Sequence, residues 1–366
     1  MGDKVMHWKT ILKDMKPYTP GKSIEEVKKE YQLDEIIKLA SNENPYGASP
    51  KAKEQLASGA LALETYPDGY AGKLRTKIAN KLKVDEKELL FGSGSDEIIV
   101  IIARALLGEG TNTICATPTF PQYKHHALIE GAEVKEIPLV DGAHDLDGFL
   151  QAIDEQTSVV WLCSPNNPTG NLIGHRQLIA FLDQVPTHVL VVLDEAYYEY
   201  ITSEDYIDTT DLFRRYKNVL ILRTFSKAYG LAALRVGYVI GDESVITPLN
   251  TARSPFNVTS LSLAIAEVAL DDQSFIDTCR QLNREQMDRF YAFAEQHQLH
   301  IYPSEANFVL LQVPKTATEA TETLLSQGYI VRSGDALGTP GYIRVTVGSA
   351  KQNDGFFKAF EKVLND

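Results

Sequence analysis

Cysteine is scarce in this chain. Cys115, Cys163 and Cys279 are far apart and odd in number, so they form neither a disulfide framework nor a paired metal-ligand pattern. No metal is expected, and the thiols read as ordinary buried side chains. Long apolar runs are missing too. The richest, Ile98 to Leu107, is broken by Arg104 and falls far short of the roughly 20 residues a membrane span needs. Met1 to Lys16 mixes lysines with Asp3 and Asp14 and holds no apolar stretch of signal-peptide length. The expectation is a cytoplasmic protein with no membrane partner. Positive charge is in deficit, 36 Lys and Arg against 49 Asp and Glu, for a net charge of -13. That balance argues against a nucleic-acid partner, which needs clustered basic residues. Internal repeats and low-complexity tracts are absent, which excludes a solenoid.

What remains is a globular composition, 44% hydrophobic and 23% charged over 366 residues, long enough for about two domains. The middle alternates helix-length segments with short apolar runs. Thr113-Ile114-Cys115-Ala116, Ser158 to Leu162, Val189 to Leu193 and Val219 to Leu222 read as strands buried on both faces, the mark of an α/β domain with a mostly parallel sheet. Ligands of such sheets sit outside the carboxyl ends of the strands. Three of these runs end in polar clusters: Ser164 to Gly170, Asp194-Glu195-Ala196-Tyr197 and Arg223-Thr224-Phe225-Ser226-Lys227. Beyond about residue 270 the pattern changes to a long polar helix (Ser274 to His297) followed by short strands at Asn307 to Gln312 and Tyr342 to Val347. This reads as an α+β unit, which the strand-like Ile36 to Ala40 is placed to join.

A lysine beside a serine is ordinarily a solvated surface residue. Lys227 differs because it follows a buried strand and precedes Arg235 by eight positions. An amine that forms imines needs a partly desolvated site, and an arginine nearby holds an anionic group without losing its charge. Asp194 ends one of the most apolar strands, where a carboxylate is costly unless paired. It is either a helix N-cap or the partner of a protonated ring nitrogen. Asn167 sits in turn chemistry, Asn-Pro-Thr-Gly, yet it and Tyr197 are also potential donors to a ligand. Gly92-Ser93-Gly94-Ser95-Asp96-Glu97 leads into an apolar helical run, which is either a plain cap or a phosphate-binding helix N-terminus.

Together, Asn167, Asp194, Tyr197, Ser226-Lys227 and Arg235 resemble the fold-type I pyridoxal-phosphate aminotransferases of class I/II, over essentially the whole chain. Ser41-Asn42-Glu43-Asn44-Pro45, Tyr66-Pro67-Asp68-Gly69, Gly94-Ser95-Asp96-Glu97, Asp194-Glu195-Ala196-Tyr197 and Pro255-Phe256-Asn257-Val258 are similar to the branch of that family acting on histidinol phosphate. The resemblance implies a large cofactor domain (41–269) with a mostly parallel seven-stranded sheet. It also implies a smaller α+β domain (270–366), joined by residues 1–40. It implies pyridoxal 5'-phosphate as cofactor, with Lys227 as imine lysine and proton shuttle, Asp194 on the pyridinium nitrogen, and Tyr197 and Asn167 on the phenolate oxygen. Phe120 would stack on the ring, where many relatives carry Tyr. Ser95, Asp96, Thr224, Ser226 and Arg235 would surround the phosphate, Glu97 would belong to the same cofactor-binding set, and Tyr66 would reach the cofactor of a partner subunit in a homodimer with shared active sites. Substrate would meet Tyr18, Asn44, Arg332 and Arg344, the last two gripping anionic groups of a phosphate ester or of 2-oxoglutarate and glutamate. Aromatic amino-acid aminotransferases and threonine-phosphate decarboxylases share most of these residues. A pyridoxal-phosphate-binding transcription regulator would need an added helix-turn-helix segment, for which the resemblance leaves no room.

Overall fold

The computed structural model describes residues 6–15, 22–59, 62, 64–206 and 208–365. Its strands are β1 (Ile37–Lys38), β2 (Leu89–Gly92), β3 (Asn112–Thr117), β4 (Glu133–Pro138), β5 (Thr157–Cys163), β6 (Leu190–Asp194), β7 (Val219–Thr224), β8 (Gly237–Gly241), β9 (Phe308–Gln312), β10 (Tyr329–Ile330), β11 (Arg332–Ser333) and β12 (Tyr342–Thr346). Seven of them form one sheet in the order β2-β8-β7-β6-β5-β3-β4. Neighbours from β7 to β4 pair in parallel, and β8 alone runs against the rest. The sequence runs assigned as strands are β3, β5, β6 and β7. Three members of the sheet carry too little signal alone: β2 and β8 are short and glycine-bounded, and β4 is a polar edge strand.

Burial on both faces explains the near-continuous apolar runs. Val160, Leu162, Val191, Leu193 and Ile221 enter the core on one side, while Val159, Trp161, Val192, Leu220 and Leu222 enter the core on the other. The alternation is that of a pleated strand, with helices covering each face.

A second core gathers Phe290, Phe293, Val309, Leu311, Val345, Phe356 and Phe360 around the antiparallel sheet β11-β12-β9. The helix Gln273–Gln296 contributes its apolar stripe to it. β1 pairs in parallel with β10, and the chain then continues along β12, where Thr346 N–H donates to the Leu39 carbonyl at 2.8 Å. This path carries residues 39–44 between the small sheet and the tips of the large one.

Candidate active site

β5, β6 and β7 are neighbours, with Cys163 opposite Asp194 and Asp194 opposite Leu222. The three polar clusters therefore emerge side by side at the carboxyl edge. Lys227 Nζ donates to the Ser41 carbonyl at 3.2 Å and lies 5.7 Å from the centre of the Tyr197 ring. Burial, and then the positive charge of Arg344, hold its ammonium down at about 8. Asp194 is buried, and desolvation lifts its carboxyl to about 6. One of its oxygens accepts from Tyr123 Oη at 2.6 Å and the other from Ala196 N–H at 3.1 Å. Tyr123 itself stacks on Trp161 and meets the edge of Phe120, with ring centres 5.0 and 5.6 Å apart. Burial pushes the phenols of Tyr123 and Tyr197 well up, so both hydroxyls stay protonated and able to donate.

A cradle for an anion lies beside these groups. The helix Gly94–Leu106 begins after Ser93 without any side-chain cap, which leaves its first N–H groups without intrahelical partners. Arg235 Nη1 donates to Ser226 Oγ at 3.1 Å, Thr224 Oγ1 lies 3.1 Å from the same hydroxyl, and Arg235 Nη2 stands 3.5 Å from Asp96. Only glycine fits at position 94: φ is +80°, and a Cβ there would fall 2.4 Å from Arg235 Nη2.

Arg332 and Arg344 face each other across the β11–β12 ladder. Arg344 donates from Nη1 to Asn167 Oδ1 at 2.6 Å and from Nη2 to the Ala40 carbonyl at 2.7 Å. Among the described residues, the Arg332 side chain makes no hydrogen bond or ion pair. Two expected site residues have partners within the chain. Asn44 donates to the Ala228 carbonyl and Cys279 Sγ and accepts from Tyr46 N–H, so its amide braces the lysine loop, with one Oδ1 lone pair left over. Glu97 accepts from Ser93 N–H and Asn257 Nδ2 and ties the turn before the helix. Tyr66 is 83% exposed and stacks on Phe256 with ring centres 4.9 Å apart. The pair lines an open groove of about 730 Å³. Tyr18 lies outside the described residues. Among them, no group of His, Cys, Asp or Glu is arranged to hold a metal ion.

Residues 34–360 match the family model for aminotransferase class I and II. The chain belongs to the class I and II aminotransferases. Among relatives of this aminotransferase, the histidinol-phosphate aminotransferase of Geobacillus thermodenitrificans is 56% identical over 361 residues, 99% of either chain. That of Bacillus subtilis strain 168 is 56% identical over 360 residues, covering 98% of this chain and all of its own. The fold matches the crystal structure of histidinol-phosphate aminotransferase from Sinorhizobium meliloti in complex with pyridoxal-5'-phosphate, with a TM-score of 0.89 at 24% identity over 99% of both chains. It also matches L-threonine-O-3-phosphate decarboxylase from Porphyromonas gingivalis, with a TM-score of 0.80 at 25% identity over 90% of this chain and 100% of that one.

Pyridoxal phosphate, the cofactor of the family, fits this aminotransferase on two observations. Asp194 is a buried carboxyl with no cationic partner among the described residues, which a protonated ring nitrogen would supply. The uncapped helix with Thr224, Ser226 and Arg235 offers N–H groups, hydroxyls and a guanidinium to a phosphate.

Two further residues join the site without having been picked out from the sequence. Tyr123 lies 71 positions from the carboxylate it donates to; its spacing of three from Phe120 is the only local hint. Asn42, inside a quoted motif and two positions before the expected Asn44, donates to Tyr197 Oη at 3.0 Å.

Proposed function

We propose that the chain transfers the amino group of L-histidinol phosphate to 2-oxoglutarate, giving imidazole acetol phosphate and L-glutamate. The observation that carries this substrate choice is the Arg332–Arg344 rung. Two guanidiniums on one short ladder, one of them without an ion pair among the described residues, suit the phosphate of one substrate and the carboxylates of the other. Full-length relatives at 56% identity bear the corresponding name, which supports the same reading.

In this assignment Ser95, Asp96, Thr224, Ser226 and Arg235 hold the phosphate of the cofactor, and Phe120 lies against its ring. Asp194 keeps the ring nitrogen protonated. Arg344 donates to Asn167 Oδ1, which leaves Asn167 Nδ2 and the Tyr197 hydroxyl to donate to the ring oxygen. The bound cofactor supplies an electron sink for the pair left at the substrate Cα. Lys227 Nζ takes the Cα proton and returns it, a task that an amine near neutral pH performs well. Tyr66 serves the partner's site in a cytoplasmic homodimer, and residues 1–40, 41–269 and 270–366 are the joining segment, the cofactor domain and the small domain.

The test is a side-by-side assay of histidinol phosphate, phenylalanine and threonine phosphate with 2-oxoglutarate, monitoring carbon dioxide. Histidinol phosphate is expected to turn over fastest. Faster turnover of phenylalanine, or carbon dioxide released from threonine phosphate, would replace this substrate. Lys227→Ala should lose about 10²- to 10⁴-fold in transamination and should no longer be labelled by borohydride in the presence of cofactor.

A further inference from the structure

Residues 40, 41 and 42 each meet the site. The carbonyl of Ala40 accepts from Arg344, that of Ser41 accepts from Lys227, and the Asn42 amide donates to Tyr197. Asn42 is the most constrained of them. It is 1% exposed and holds φ at +56°, a left-handed conformation that asparagine tolerates better than most residues. Its N–H donates to Thr346 Oγ1 at 2.9 Å, and its carbonyl accepts from Asn307 Nδ2 at 3.0 Å.

Thr346 Oγ1 accepts from Asn42 N–H and donates to Asn42 Oδ1, 3.2 Å away. Oδ1 is thereby the acceptor, and Nδ2 faces Tyr197 as a donor. A phenol oxygen that receives this hydrogen bond keeps its own proton for another partner. Among the described residues the Tyr197 hydroxyl has no second hydrogen bond.

We propose that Asn42 is a positioning residue: by donating to Tyr197 Oη it aims the Tyr197 proton at the ring oxygen of the cofactor, with Thr346 fixing the sense of the relay. This rests on the cofactor reading given above. A donor on that oxygen spreads its negative charge and loosens the hold on the neighbouring proton carried by Lys227 Nζ. Reversing the relay should tighten that hold.

Asn42→Asp is the same size but offers only acceptors, so the Tyr197 proton turns back to residue 42. In the cofactor-loaded protein, the pH at which the visible absorption band switches should rise by about one unit, the effect of losing one hydrogen bond to a charged oxygen. Tyr197→Phe should raise it by a similar amount. The double variant should go no further than Tyr197→Phe alone, because both changes remove one donation. Asn42→Gly, which accepts the left-handed backbone, should shift it less than Asn42→Asp in the same direction, and provides a folded comparison. An unchanged switch in Asn42→Asp overturns the proposal. So does an Asn42→Asp shift that adds in full to that of Tyr197→Phe, since that is the signature of a through-space charge. Wild-type protein with no band that borohydride fixes onto Lys227 overturns the cofactor reading and this inference with it.

Discussion

At the scale of single residues, burial sets the chemistry. Lys227 is held at about 8 by desolvation and the Arg344 charge. At pH 7 about one molecule in ten then carries a neutral amine, where an ordinary lysine near 10.5 offers roughly one in three thousand. The rate at which cofactor-free protein takes up pyridoxal phosphate should rise with pH and level off with a midpoint near 8. A rate still climbing steeply at pH 10 would contradict the depressed value. His144 is a second case, remote in role. Both of its ring nitrogens are buried without a hydrogen-bond partner among the described residues, and desolvation lowers it to about 4. The folded state therefore keeps His144 neutral while the unfolded chain protonates near 6.5, so stability is lost as pH falls from about 6.5 through 4. The loss attributable to this ring is at most about 3 kcal/mol. Urea unfolding at pH 7 and 4.5 should show a smaller acid loss for His144→Leu than for wild type. Cys115 and Cys163, pushed up to about 12 by burial, should resist alkylation in the native state.

At the scale of elements, what matters is how strand ends and helix starts are held. Behind the β6 and β7 tips, Glu195 and Arg223 form a buried ion pair at 2.9 Å, with the guanidinium 3.8 Å above the Tyr198 ring and Thr209 Oγ1 donating to the carboxylate at 2.6 Å. Removing one partner strands the other charge in the core. Arg223→Leu should cost about 3 to 5 kcal/mol in denaturant unfolding, and a loss below about 1 kcal/mol would show that the pair is dispensable. The start of the helix Gly94–Leu106 is the other fixed point. Gly94→Ala places a Cβ against Arg235 at a backbone angle suited to glycine. Stability should fall by about 1 to 2 kcal/mol, and dialysis should strip the cofactor faster than from wild type. These elements were legible in part: the strands buried on both faces declare themselves as apolar runs. β2 and β8, four and five residues long, carry no periodicity of their own and exist because their neighbours pair with them.

At the scale of the molecule, the exposed aromatic groove calls for a partner. Phe256 is 47% exposed in the left-handed region, at φ +54°, beneath an almost fully exposed Tyr66. Exposed apolar patches of this kind mark association surfaces. Under the proposed homodimer, Phe256→Asp should shift sedimentation toward the monomer and cut activity with it. A variant that remains dimeric would remove this groove from the interface.

The apolar runs were enough to specify the mostly parallel sheet, because strands buried on both faces leave a local trace, and the resemblance carried by Asn167, Asp194, Tyr197, Lys227 and Arg235 was enough to specify the cofactor. The pairing of groups across the carboxyl edge of the sheet had no such trace. Tyr123 with Asp194, Arg344 with Asn167, and Asn42 with Tyr197 and Thr346 are separated by 71 to 304 positions. Which amide met Tyr197, that of Asn42 or that of its neighbour Asn44, depended on the path of residues 39–44 between the two sheets. Side chains two apart in one segment were sent to different partners by a single left-handed turn, and that turn is held only by contacts made after the chain has folded.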